Sequence, residues 1–176
     1  LFIYPDQGIA SIGVLAMPAG RPLSMQITSA TAMQSLFVPA LGSQIYAMGG
    51  MVTQLHLLAD HPGRFMGENT MYNGSGFHQQ QFTAVAMTPA GFKAWVRKVR
   101  AIGVPLDAAT LDTIGQPSTR AQLANALGQA ASNDDVVYFT GASGGVFPAV
   151  VKATREGTLR STRASSTARP GMGDAR

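Results

Sequence analysis

A mainly β fold, an antiparallel sandwich or small barrel followed by a small α-helical C-terminal region, is what this sequence predicts, on three observations. Up to residue 87 apolar residues recur with the two-residue period of strands, in short runs separated by clusters of Gly, Pro, Asn and Asp. At Thr88-Pro89 that period gives way to a helical one. The chain has 176 residues, 45% apolar and only 12% charged, which suits a packed domain. The same composition excludes a highly charged disordered chain, a coiled coil and a histone-like DNA binder.

The elements follow in order. Phe2–Tyr4 reads as a short strand stopped by Pro5, and residues 8–17 as a second, stopped by Pro18-Ala19-Gly20. Residues 23–29 alternate apolar and polar, the mark of a half-buried strand. Gln34–Val38 and residues 51–58 are further strands; in the latter Met51, Leu55 and Leu57 share one face, with Gln54 and His56 on the other. Residues 81–88 form the last strand of this half, with Phe82, Ala84 and Ala86 opposite Thr83, Val85 and Met87. Turn clusters lie at Gly49-Gly50, Asp60-His61-Pro62-Gly63 and Asn73-Gly74-Ser75-Gly76.

Thr88 is a helix N-cap with Pro89 in the first helical position, and Phe92, Trp95, Val96 and Val99 then recur at helical spacing. Lys93, Arg97, Lys98 and Arg100 take the solvent side, and Gly103 closes the helix. A second helix is expected over residues 118–131, carrying Leu123, Ala126 and Leu127. Residues 136–139 read as extended or as a buried turn, and residues 146–154 as a short final helix. The expected division is a β domain over 1–88, a helical region over 89–155, and a basic low-complexity tail over 156–176 that reads as disordered.

Charge and chemistry narrow the function. The net charge is +4, and five arginines from Arg155 to Arg176 against Glu156 and Asp174 account for three of those charges. Basic character therefore belongs to the tail, and no nucleic-acid partner is expected. There is no cysteine, hence no disulfide, no thiolate nucleophile and no Cys-based zinc or iron–sulfur site. No apolar run approaches the roughly 18 residues that span a bilayer, and the chain begins at Leu1, so an upstream portion is expected.

His56, His61 and His78 read as exposed or rim histidines, with no carboxylate within three residues of His78 to help it hold a metal. The Gly74-Ser75-Gly76 loop leads into a strand where a phosphate loop needs a helix N-terminus. Ser29 and Ser35 lack an acid–His pair, and Asp134-Asp135 reads as a solvated turn or cap. Of the nine methionines, Met17, Met25, Met51 and Met87 fall on strand patterns and read as core filling.

Three segments carry a resemblance. Phe2-Ile3-Tyr4-Pro5-Asp6-Gln7-Gly8-Ile9-Ala10, Leu41-Gly42-Ser43-Gln44-Ile45-Tyr46-Ala47-Met48 and Tyr72-Asn73-Gly74-Ser75-Gly76-Phe77 resemble, in that order, subunit II of bacterial haem–copper ubiquinol oxidases of the cytochrome bo type. The similarity is close over residues 1–88, looser to about 154 and absent in the tail. It implies a cupredoxin-like Greek-key β-sandwich facing the periplasm, preceded by two transmembrane helices that this sequence does not include. Phe2 and Tyr4 would then lie near the membrane interface.

The related cytochrome c oxidase subunit II holds a dinuclear copper centre through a His in one loop and a Cys-x-Glu-x-Cys-x-x-x-His-x-x-Met box in another. Carried onto this sequence, those positions hold Gln34 for the first His, Asn69 and Asn73 for the two Cys, Met71 for Glu, Phe77 for the second His and Gln80 for Met. An amide cannot replace a bridging thiolate, and a phenyl ring has no lone pair for a metal. The resemblance thus implies a copper site lost from a kept fold. It implies no catalytic or cofactor-binding residue here, and a role as the non-catalytic subunit of a proton-translocating oxidase that takes electrons from ubiquinol to oxygen.

The haems and copper are then expected in partner subunit I. This subunit's part would be assembly and docking, with residues 41–50 and Pro39 as a contact surface or, equally, an ordinary inter-strand loop. Two other readings stand beside it: a stand-alone periplasmic carrier or binding module, and a cytochrome c oxidase subunit II.

Overall fold

The computed structural model describes residues 1–72, 80–129 and 136–157. The sequence expectations for Asn73, Phe77, His78, the Gly74-Ser75-Gly76 loop, Asp134-Asp135 and residues 158–176 lie outside the described residues.

The chain opens with β1 (Phe2–Tyr4), a 3-10 turn over Pro5–Gln7, β2 (Ile9–Ile12) and β3 (Val14–Pro18). The single strand expected over residues 8–17 is broken in two at Gly13, whose φ of 90° lies where side-chain-bearing residues rarely go. The break sends β2 and β3 into different sheets. Next come β4 (Leu23–Ile27), β5 (Gln34–Val38), a 3-10 turn over Pro39–Leu41, β6 (Ser43–Ala47), β7 (Thr53–Leu57), β8 (Gly63–Glu68) and β9 (Gln81–Met87).

The C-terminal region holds α1 (Pro89–Ile102), β10 (Val104–Pro105), α2 (Ala108–Ile114), α3 (Arg120–Ala126), β11 (Val137–Thr140) and α4 (Val146–Arg155).

A five-stranded sheet in the order β3-β9-β8-β5-β6 faces the β4–β7 pair, and the core of the sandwich lies between them. Leu15, Met17, Val38, Leu55, Leu57, Ala84 and Ala86 fill it. Full burial of a side chain such as Leu57 is worth about 1.5–3 kcal/mol. Strands β3 and β9 are apolar on both faces because their other side is covered by α1. There Val14, Ala16, Val85 and Met87 meet Phe92, Trp95, Val96 and Val99. Helix α1 starts as the sequence predicts, with Thr88 Oγ1 accepting from Gly91 N at 3.1 Å.

A third cluster, Ala10, Leu106, Leu123, Ala124, Val137 and Phe139, packs α2 and α3 against a second sheet in the order β1-β2-β11-β10. The C-terminal region thus contributes strands as well as helices. The stretch expected at 136–139 as extended or a buried turn is the central strand β11, one residue later at Val137–Thr140, with Tyr138 opposite Ser11 of β2.

Several expectations need correction. Met51 does not share the core face of β7; it lies outside the strand and is 53% exposed, while Leu55 and Leu57 are buried. The expected helix over 118–131 is the shorter α3, started by a capping box between Thr119 and Gln122, and α2 precedes it. Residues 43–47, within the expected loop at 41–50, form strand β6, paired with β5 from Gln34↔Ala47 to Val38↔Ser43. Strand β8 has no clear strand pattern in the sequence because Gly67 interrupts it. That glycine sits opposite Phe82, whose ring would lie 2.1 Å from any Cβ placed there.

Tyr4 closes the edge of β3. Its hydroxyl accepts from Ala16 N at 2.7 Å and donates to Ala16 O at 3.1 Å. Burial pushes the pKa of this phenol well above its ordinary value, only partly offset by the bond to Ala16. Among the described residues no helix is long and apolar enough to cross a membrane.

Candidate functional site

Gln34 opens β5, Asn69 follows β8 directly and Gln80 directly precedes β9. The pairings Phe37↔Glu68 and Glu68↔Gln81 align β5, β8 and β9 so that all three amides reach one end of the sheet. Asn69 is the hub. Its Nδ2 donates to Gln34 Oε1 at 2.8 Å, to Gln80 Oε1 at 2.7 Å and to Met71 O at 3.0 Å. Its Oδ1 accepts from Ser35 N at 2.9 Å, Ser35 Oγ at 3.2 Å and Met71 N at 3.0 Å.

A backbone bond from Asn69 N to Gln80 O at 3.0 Å closes the ring. Around it, buried Ser35 Oγ accepts from Thr70 N at 2.7 Å and pairs with Thr70 Oγ1 at 2.7 Å. Thr70 Oγ1 in turn accepts from Gln44 Nε2 at 2.9 Å.

Of the six positions the resemblance marks, the structure therefore joins Gln34, Asn69 and Gln80 through their side chains and Met71 through its backbone; Asn73 and Phe77 are outside the described residues. Ser35, Thr70 and Gln44 were not legible as members of this cluster, since their meeting depends on the β5–β6 and β5–β8 registers. Ser29 is a local turn residue, its Oγ donating to Ala32 O at 2.6 Å. His56 projects from β7 opposite Ser24 of β4, and His61 is exposed in the turn before β8. Among the described residues no three His, Cys, Asp or Glu side chains converge as a metal site.

Comparison with known proteins fits this geometry. Residues 10–85 match the family described as the cytochrome c oxidase subunit II periplasmic domain. The crystal structure of the periplasmic domain of cytochrome oxidase subunit II from Bradyrhizobium japonicum superposes with a TM-score of 0.52 at 19% identity, covering 56% of this chain and 83% of that one. The fold is thus a cupredoxin-like sandwich of the oxidase subunit II type.

Within that class the chain is a homologue of the ubiquinol oxidase second subunits. It is 41% identical over 159 residues to ubiquinol oxidase subunit 2 of Acetobacter aceti, covering 90% of this chain and 47% of that protein. It is 47% identical over 118 residues to cytochrome bo(3) ubiquinol oxidase subunit 2 of Pseudomonas aeruginosa, covering 67% of this chain and 36% of that protein. The chain spans less than half the length of either relative.

A thiolate-bridged copper pair of the kind built on this fold does not fit these residues. The sequence has no cysteine, and the Asn69 carbonyl already accepts three bonds within the protein. An amide nitrogen such as Asn69 Nδ2 is a donor with no free lone pair for a metal.

Proposed function

We propose that this chain is the extramembrane part of subunit II of a proton-translocating ubiquinol oxidase, facing the periplasm and carrying no redox centre of its own. The observation that carries this reading is the amide hub: Asn69, at a position where a copper-bearing relative needs a thiolate, is bonded to Gln34 and Gln80, at two more such positions. A domain without a relay suits a membrane-borne quinol, which delivers electrons to the catalytic subunit through the bilayer. The haems and copper belong to that partner, subunit I, and membrane attachment belongs to upstream helices.

Gln34, Asn69, Met71, Asn73, Phe77 and Gln80 are then the positions from which copper ligands were lost, in a β domain over residues 1–88 that precedes the helical region. Docking on the partner is this chain's task. Exposed Tyr46, Met33 and Tyr72 border the hub and support a contact there, with Tyr46 opposite Ser35 in the β5–β6 register. The test is affinity purification of the full-length protein from membranes. Expected are a haem-bearing partner, quinol-driven oxygen uptake and no copper in this polypeptide. Recovery as a free periplasmic protein, or with copper bound to this subunit, would overturn the reading.

A further inference from the structure

We infer that the Gln34–Asn69–Gln80 cluster is a metal-free clasp, in which Asn69 is the positioning residue that fastens the start of β5 to both ends of the connection between β8 and β9. Gln34 and Asn69 are 35 residues apart and Asn69 and Gln80 are 11 apart, so one side chain ties three separate stretches of backbone. A metal ion held by two loops would make the same ties. That the clasp stands in for a metal rests on the functional reading above; that it fastens the loops rests on the geometry alone.

The orientation of the Asn69 amide is dictated by its neighbours. Ser35 N and Met71 N are backbone donors that cannot be reversed, so the oxygen must face them and the NH2 must face the two glutamine carbonyls and Met71 O. An asparagine carries two donor hydrogens and one carbonyl oxygen, and here two hydrogens meet three acceptors while the oxygen meets three donors. Every bonding capacity of the side chain is spent inside the protein. Removing it strands the Ser35 and Met71 amides together. Replacing it by aspartate keeps acceptors for both but sets an oxygen against Met71 O, which cannot turn away.

Amide hydrogen exchange on the full-length protein tests this residue by residue. Asn69→Ala is expected to speed exchange of the Ser35 and Met71 amides at least tenfold, leaving Val99 in α1 unchanged. Asn69→Asp is expected to keep those two amides protected while lowering the melting temperature less than Asn69→Ala does. If Asn69→Ala fails to fold, Gln80→Leu removes one arm and should speed exchange at Asn69 and Met71 by a smaller factor. EDTA should change none of these rates in the unaltered protein.

Unchanged exchange at Ser35 and Met71 in Asn69→Ala, or at Asn69 and Met71 in Gln80→Leu where that variant is the one measured, sinks the clasp. So does a loss of protection caused by EDTA. Neither result touches the oxidase assignment, which falls only with the purification experiment.

Discussion

At one end of the sandwich, strands β5, β8 and β9 are drawn together by side-chain amides; on its flank, β1, β11 and α1 are drawn together by rings. Tyr4, Phe92, Trp95 and Tyr138 pack with centroids 5.3–6.4 Å apart, Tyr4 against Trp95 edge-on at 5.3 Å and Phe92 stacked on Trp95 at 5.8 Å. The flank is bound by buried apolar area, which is strong and tolerant of small shifts. The amide end is bound by directional bonds, each a modest net gain, yet costly to leave unmade. The difference teaches a division of labour: the aromatic flank supplies stability, and the amide end fixes the relative position of the loops.

The comparison breaks most readily at its apolar side. Trp95→Ala removes the ring that touches the other three and is 8% exposed, so a loss of about 3–5 kcal/mol is expected in chemical denaturation. A loss under about 1 kcal/mol would mean that the amide end, not the flank, carries the stability.

A smaller effect sharpens the contrast, because Tyr4 is the one member of the flank with a directional bond to the edge of β3. Tyr4→Phe leaves buried Ala16 N and O without that partner and should cost about 1–3 kcal/mol. The same phenol sets an alkaline limit. Desolvation raises its pKa in the folded state, so its contribution is complete below the unfolded value of about 10 and is lost as pH rises beyond it. Denaturation midpoints followed upward from pH 9 should fall less steeply in Tyr4→Phe than in the unaltered protein.

The smallest effect concerns a tie between the two halves of the chain. Arg155, exposed at the end of α4, donates through Nε and Nη2 to Gly50 O at 3.3 and 3.0 Å. Arg155→Ala should cost no more than about 0.5 kcal/mol by the same denaturation assay, and a larger loss would put a third fastening beside the other two.

How far the sequence spoke depended on whether a signal was local. Helix α1 was legible down to its cap, because Thr88, Pro89 and the spacing of Phe92, Trp95, Val96 and Val99 lie within one short window. Strand β4 was legible from alternation and β9 from its two faces. Strand β8 was not, since Gly67 replaces a side chain with space for the Phe82 ring across the ladder. The amide positions Gln34, Asn69 and Gln80 carry no motif by themselves and emerged only through likeness to a family. The bonding of Asn69 to Ser35, and of Ser35 to Thr70, is a matter of register between strands some 35 residues apart, which local pattern does not encode.

The second sheet has a consequence for biosynthesis. Strand β2, at residues 9–12, has its partner β11 at residues 137–140. At about 5–20 residues per second, a ribosome needs roughly 6–25 s to make what lies between them. Throughout that interval Ile9 and Ala10, fully enclosed in the finished protein, have no β11 to cover them. Until β11 has been made, that edge of β2 has no strand to complete its ladder and its backbone groups stay open to wrong partners.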